Sequence, residues 1–299
     1  MMTTAQHLHA TPSMNHTSSH AYHVIRASSG SVTRKDEHMS LVNNPTIDVL
    51  LRRKSVRRFA DTPIPDDIVE TLETAAQRAA TSQYLNSWSA IRITDPDIKR
   101  QLSELSTQTF VADAPLLYIF VADQHRNTRI AHEEGVDITS DDLYFNSPAA
   151  FGQAKDDAVL ALHAMETAAF SLGLGAVIMA AIVMHTREVI ELLHLPKLTY
   201  PILGIALGVP EEPVTAPATK PRLPKDTQFF DNTYPTADEE RLLDPQLNEF
   251  DKQVAEFYRQ RGGAAPASFK AWLASRSVRP GLSQREPFST IARDQGFGF

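Results

Sequence analysis

The chain contains no cysteine. That absence excludes disulfides, thiolate nucleophiles and Cys-ligated metals, and it fits a reducing cytoplasm, where the protein is expected to reside. No stretch approaches the ~20 consecutive apolar residues needed to span a bilayer, so no membrane partner is expected. Positive charge is in deficit. The 29 Lys and Arg against 36 Asp and Glu leave −7, which argues against nucleic acid as a partner. Chemical signatures are missing too. No G-x-G-x-x-G follows a strand, so a Rossmann dinucleotide site is not supported. P-loop, H-E-x-x-H and G-x-S-x-G motifs are also absent. Without nucleophile or metal motifs, the chemistry would belong to a bound organic cofactor; no catalytic side chain and no metal is assigned.

What is present is ordinary for a soluble globular chain. At 299 residues and 42% hydrophobic, there is material for one large domain or two small ones. Residues 1–43 are rich in Ser, Thr and His without helical or strand period and read as a disordered extension. His7/His9 and His16/His20 have metal-compatible spacing, but no carboxylate or buried scaffold accompanies them. Residues 44–299 read as the ordered domain. Thr46 is expected to cap a first helix, and Pro63-Ile64-Pro65-Asp66 opens a second with the stripe Ile68, Leu72, Ala75, Ala76 and Ala79. Trp88–Thr94 has strand character, and a helix follows from Pro96.

Ala114–Ala122 is a nearly continuous apolar run, as in strands buried on both faces. A polar excursion spans Gln124–Gly152. Gln153–Leu172 predicts a long Ala-rich helix with a broad small-residue face, closed by Gly173 and Gly175. Strand Gly175–Ile182, helix Thr186–Leu193, strand Tyr200–Val209 and an amphipathic helix Asp238–Arg261 complete the pattern, with a short helix near Phe269. Asp66/Asp67 and Asp156/Asp157 fall where helices are expected to begin, so the helix dipole explains them without catalysis. His163, within the Ala-rich face, reads as a satisfied core or interface histidine.

Two basic elements stand out. Arg53-Lys54-Ser55-Val56-Arg57-Arg58-Phe59 packs four cations into six positions, a density that an anion would stabilise. Arg57 can grip two phosphate oxygens at once, and Ser55 adds a neutral donor. Far downstream, Lys220-Pro221-Arg222-Leu223-Pro224 holds two cations on a stiff arm. Either element alone also fits a solvated surface. Together they suggest a phosphorylated cofactor held from two sides.

The first cluster, followed by Pro63-Ile64-Pro65, resembles the opening motif of the FMN-dependent nitroreductase superfamily. Ser87-Trp-Ser-Ala-Ile-Arg-Ile-Thr-Asp95, Ser171-Leu-Gly-Leu-Gly175, Leu203-Gly-Ile-Ala-Leu-Gly208, Lys220-Pro-Arg-Leu-Pro224, Arg285-Glu-Pro-Phe288 and Gln295-Gly-Phe297 follow in order. They are similar to the oxygen-insensitive NADPH nitroreductase and flavin reductase branch. The resemblance implies an α+β sandwich with a mostly antiparallel central sheet wrapped by helices, in an intertwined homodimer with FMN at the interface. It also implies ping-pong hydride transfer through flavin N5 from NADPH or NADH to nitroaromatics, quinones or free flavin.

Position by position, the resemblance carries FMN contacts to Arg53, Lys54, Ser55 and Arg57, with Lys54 standing where relatives more often have Arg. It assigns further contacts to Thr81, Ser82, Tyr84 and Gln108, to Met179, Ala180 and Ala181 where relatives carry Gly-Gly, and to Lys220 and Arg222. Arg261 matches the first of two arginines that hold the NADPH phosphate; the following Gly262-Gly-Ala-Ala-Pro266 lacks the second. Small aromatic electron acceptors are the expected partners. A non-catalytic flavin-binding or flavin-delivery protein, or a structural dimer on the same scaffold, are the alternatives.

Overall fold

The computed structural model describes residues 41–212, 220–260, 268–278, 280 and 286–299. Most of the expected N-terminal extension and Arg261 lie outside the described residues. The elements run α1 (Pro45–Arg52), α2 (Asp66–Gln77), β1 (Trp88–Arg92), α3 (Pro96–Ser106), β2 (Leu116–Asp123), α4 (His125–Glu133), α5 (Pro148–Ser171), β3 (Gly175–Met179), α6 (Thr186–Leu192) and β4 (Thr199–Gly208). Four helices follow: α7 (Ala237–Arg241), α8 (Asp244–Arg259), α9 (Phe269–Ser277) and α10 (Phe288–Asp294).

The sheet is antiparallel throughout, in the order β1-β2-β4-β3. Its central strand β2 is buried at every position because both of its faces are covered by helices. Leu116, Tyr118 and Phe120 point toward α2 and α5, where Leu72, Ala158, Leu162 and Met165 receive them. Leu117, Ile119 and Val121 alternate to the other face, against Leu102 of α3 and Val189 of α6. That is why the run is continuously apolar in an antiparallel sheet. Each large side chain so buried contributes roughly 1.5–3 kcal/mol. The small residues of α5 (Ala158, Ala161, Ala169) are all fully covered and let the helix lie close on the sheet. No helix among the described residues is long and apolar enough to cross a membrane.

Several boundaries differ from the sequence expectation, each for a local reason. Asn44, not Thr46, caps α1, its Oδ1 accepting the Ile47 N–H at 3.0 Å. The long helix α5 begins at Pro148, behind a Ser147 side-chain cap, five residues before the expected Gln153. Strand β3 ends at Met179, and Ala181–His185 turns as a 3-10 helix instead of extending the strand. The expected helix Asp238–Arg261 is two helices. A capping box at Thr236 and Glu239 starts α7, and Pro245 at the head of α8 marks the break. Helix α10 lies beyond the last helix expected from the sequence, near Phe269; its Phe288 joins Phe151, Tyr200 and Phe299 in an edge-to-face aromatic cluster. Gly173 ends α5 with φ +80°, whereas Gly175 is the first residue of β3.

Two polar readings are corrected. Asp157 sits mid-helix and is 1% exposed, because α5 starts at Pro148, nine residues before it. It is not a surface residue at a helix start. His163 is exposed and pairs with Glu166 at 3.2 Å, so it is not a core histidine.

Candidate functional site

The first basic cluster leaves α1 and crosses the free edge of β3. Ser55 bridges to Ala176, the Val56 N–H donates to the Ala176 carbonyl at 2.9 Å, and the Ala60 N–H reaches Val209. Val56 fits against Gly175 so tightly that a Cβ there would lie 2.7 Å from the valine Cβ. Glycine is required at this crossing for space, not for an unusual φ.

Carboxylates then sort the cations of this segment. Arg52 pairs with Asp48 at 2.5 Å, and Arg53 faces Glu166 at 3.3 Å while its guanidinium lies 5.6 Å from the Phe170 ring centre. Arg58 donates to Glu211 at 2.6 Å, and that hydrogen bond raises its pKa above the ordinary guanidinium value. Lys54 and Arg57 make no hydrogen bond or ion pair among the described residues. The four-cation density read in the sequence is therefore half neutralised by the fold. Two cations remain, beside the exposed Ser55, whose Oγ accepts only a long 3.5 Å contact from Arg53.

At the other end of β3, Met179 has its side chain in the core, 1% exposed and packed against Ile182 and the face of Gly204. Only its backbone can meet a ligand. Ala180 is exposed and Ala181 half-buried. From Ala176 to Ala180 the strand advances about 13 Å, so unpaired cations and this turn could receive opposite ends of an elongated molecule. Gln108 opens the 3-10 turn whose Val111 shares the core beneath Met179 and Ile182. Its Oε1 is buried and has no hydrogen-bond partner among the described residues. A buried acceptor left without a partner is a place where a bound ligand's donor would be accommodated.

Thr81, Ser82 and Tyr84 belong to the opposite layer. The Thr81 hydroxyl donates to Asp157 at 2.6 Å and the Ser82 N–H donates to it at 2.9 Å, on the α5 face of the sheet. Along α5, Asp157 and the Arg53 partner Glu166 are about 14 Å apart. One chain thus does not bring Thr81–Tyr84 to the Arg57 edge. A cavity of about 700 Å3 lies beside this loop, walled by Leu85, Trp88, Tyr118 and Arg126. Another of about 1100 Å3 is lined by Phe151, Tyr200 and Phe288. Neither is lined by Lys54, Ser55, Arg57, Lys220 or Arg222.

The second basic element follows a different logic. Lys220 Nζ lies 5.6 Å from the ring centre of Tyr258 on α8, a cation–π distance. Arg222 donates to the Lys220 carbonyl at 2.9 Å and has no carboxylate partner among the described residues. Both are exposed. Sequence reasoning identified the cations but missed Asp157, Glu166 and Glu211, which organise the two groups. The only sequence signal available for Asp157 was the Ser147-Pro148 helix start, which moves it into the helix interior.

Comparison with known proteins agrees with the family resemblance. Residues 50–209 match the family described as "Nitroreductase family", and residues 220–299 match "Nitroreductase family, C-terminal domain". The chain is 34% identical over 220 residues to an FMN reductase (NADPH) of Bacillus subtilis (strain 168), covering 73% of this chain and 85% of that protein. It is 33% identical over 215 residues to an NADPH-dependent oxidoreductase of Staphylococcus haemolyticus (strain JCSC1435), covering 72% and 83%. Among solved structures, NfrA1 nitroreductase from B. subtilis aligns with a TM-score of 0.75 at 30% identity, over 84% of this chain and 98% of that one.

Proposed function

The chain belongs to the nitroreductase family, and on that footing we propose that it is an FMN-dependent NAD(P)H oxidoreductase reducing quinones, nitroaromatics or free flavin. The observation that carries this reading is the sorting of charge at the β3 edge. Asp48, Glu166 and Glu211 take Arg52, Arg53 and Arg58, leaving Lys54 and Arg57 for an external anion. The relatives named as FMN reductase (NADPH) and NADPH-dependent oxidoreductase support the same cofactor and donor.

In this reading Arg57 grips the FMN phosphate with two parallel donors, and Lys54 adds a point charge. Ser55 donates to the phosphate or ribityl chain. Gln108 Oε1 accepts from a ring N–H, which relieves its orphaned state. The backbone at Met179–Ala181 approaches the ring, with the Ala180 and Ala181 methyls narrowing that approach. Lys220 supplies positive charge at the edge of the ring where negative charge develops, and Arg222 adds a second grip on phosphate. Arg53, committed to Glu166, orients the segment more than it binds. Bound FMN supplies the hydride-accepting and hydride-donating chemistry; the chain supplies position, charge and shielding.

Because Thr81–Tyr84 lies on the α5 layer and Gln108 on the other, the complete site requires a second copy of the chain, so the working unit is a homodimer. The FMN-binding domain spans residues 44–299, Arg261 is assigned to binding of the nicotinamide dinucleotide, and the protein works in the cytoplasm. The test is an absorbance spectrum of purified protein during anaerobic titration with NADPH, then NADH. A flavin spectrum bleached stoichiometrically by either donor is expected. A protein that neither carries nor takes up FMN contradicts the reading, and one that binds FMN but resists both donors is a flavin carrier.

A further inference from the structure

The cavity of about 700 Å3 has a differentiated interior that the reading above leaves unused. It runs along β1, the sheet edge opposite the β3 edge where Lys54 and Arg57 stand. Three strand spacings, about 14 Å, separate the two edges. The space has a sequence origin. Trp88, Ala90 and Arg92 alternate onto one face of β1, in register with Ala122, Phe120 and Tyr118 of β2. Ala90 is the small member between two large ones, and α2 contributes the equally small Ala76 to the same cavity. The volume that remains lies within the range of ligand pockets.

Its walls change character along its length. At one end Trp88 stacks on Phe120, with ring centres 5.6 Å apart and planes 22° from parallel, and lines the cavity. Met165, buried in the core, adds an apolar wall. Arg126 is engaged there by the protein itself. It donates to the Trp88 carbonyl and the Ser89 hydroxyl, each at 3.2 Å, and lies 3.6 Å from Asp123. The other end is different. Arg92, about 13 Å further along the strand, makes no hydrogen bond or ion pair among the described residues. Its register partner Tyr118 donates its hydroxyl to Glu73 at 2.7 Å. Burial and that hydrogen bond raise the pKa of Tyr118, so its O–H remains the donor and the Glu73 carboxylate the acceptor.

We propose that this cavity is a second binding site, separate from the flavin, for a fused-ring aromatic carboxylate that also bears a hydroxyl or amino donor. The rings lie over Ala90 between Trp88 and Met165. Arg92 grips the carboxylate with two parallel donors, and Glu73 accepts from the ring donor. Both polar ends select. An aromatic acid without the donor leaves Glu73 facing the ligand's own negative charge, which disfavours it. Occupancy involves no electron transfer, so it holds whether or not the flavin reading does.

The test is calorimetric titration of the FMN-loaded protein with 3-hydroxy-2-naphthoate, and with 2-naphthoate for comparison, while flavin absorbance is followed in parallel. Equimolar binding of 3-hydroxy-2-naphthoate is expected, tighter than that of 2-naphthoate and without a shift of the flavin spectrum. Arg92→Ala should weaken it by about 10- to 100-fold, the loss of one charge-assisted pair. Glu73→Gln should let 2-naphthoate bind about as well as the hydroxylated acid, because the opposing charge is gone. Ala90→Leu fills the space and should abolish binding. If that variant fails to fold, Arg92→Ala, at an exposed position, carries the test. No binding of either acid, equal binding by wild type and Arg92→Ala, or binding seen only with a shift of the flavin spectrum would overturn the proposal. Protein that takes up no flavin yet binds the hydroxynaphthoate through Arg92 supports the site and removes only the functional reading.

Discussion

The Arg53 guanidinium and the Glu166 carboxylate are joined at 3.3 Å across 113 residues of sequence, and the glutamate is 2% exposed. The pair lacks the alignment of a hydrogen bond, and Glu166 Oε1 and Arg53 Nε both remain without one among the described residues. It acts by charge in a dry environment. Arg53 is the only guanidinium paired with the carboxylate among the described residues, while His163 on the same helix takes its other oxygen at 3.2 Å.

Glu166→Gln should therefore destabilise the protein by about 1–3 kcal/mol, less than a fully buried pair loses because Arg53 is partly exposed. Glu211→Gln removes an exposed, solvent-screened partner of Arg58 and should cost less than Glu166→Gln. Urea denaturation of both variants measures the difference; equal midpoints contradict it.

Gly175→Ala tests how the β3 edge carries the cation segment. A Cβ there meets Val56 Cβ and both of its methyls at 2.7–2.9 Å, and Val56 cannot withdraw without moving its backbone. Destabilisation of about 1–3 kcal/mol is expected, as for overpacking generally. Displaced Ser55 and Arg57 should also release FMN more readily. A variant that is as stable and retains flavin as well as wild type would show that the crossing tolerates a methyl.

The C-terminal segment is tied by charge and should loosen in acid. Arg187 bonds Glu286 and Asp294, and these bonds hold both carboxyls below their ordinary values. A depressed carboxyl contributes stability that is complete above its unfolded-state pKa and lost as pH falls through the folded value. The loss should begin near about pH 4 and continue below it. The groups are exposed, so the effect near neutrality is small. Combining Glu286→Gln with Asp294→Asn should flatten the dependence of Tm on pH below that point, and an unchanged slope contradicts the assignment.

Much of the architecture was legible in the residues. The run Ala114–Ala122 announced a strand covered on both faces, observed as Leu116–Asp123, and the Ala-rich pattern announced α5. Strand direction was not legible from that run, because helices on both faces erase the alternation that normally marks antiparallel sheets. The site was legible as residue types and not as pairings. Nothing local says that Glu166 takes Arg53, that Glu211 takes Arg58, or that Arg57 is left over; those choices depend on contacts more than a hundred residues long. Asp157 was misread for a simpler reason. Its role follows only once the helix is started at Pro148, which puts it on the buried face.

The most direct test of charge sorting is the FMN dissociation constant of reconstituted apoprotein, measured by quenching of flavin fluorescence. Arg57→Ala should raise Kd by about 10- to 100-fold, the equivalent of one charge-assisted bond of about 1.5–3 kcal/mol. Arg58→Ala, whose guanidinium Glu211 already occupies, should change it by less than about threefold. FMN bound equally tightly by wild type and Arg57→Ala would contradict the account.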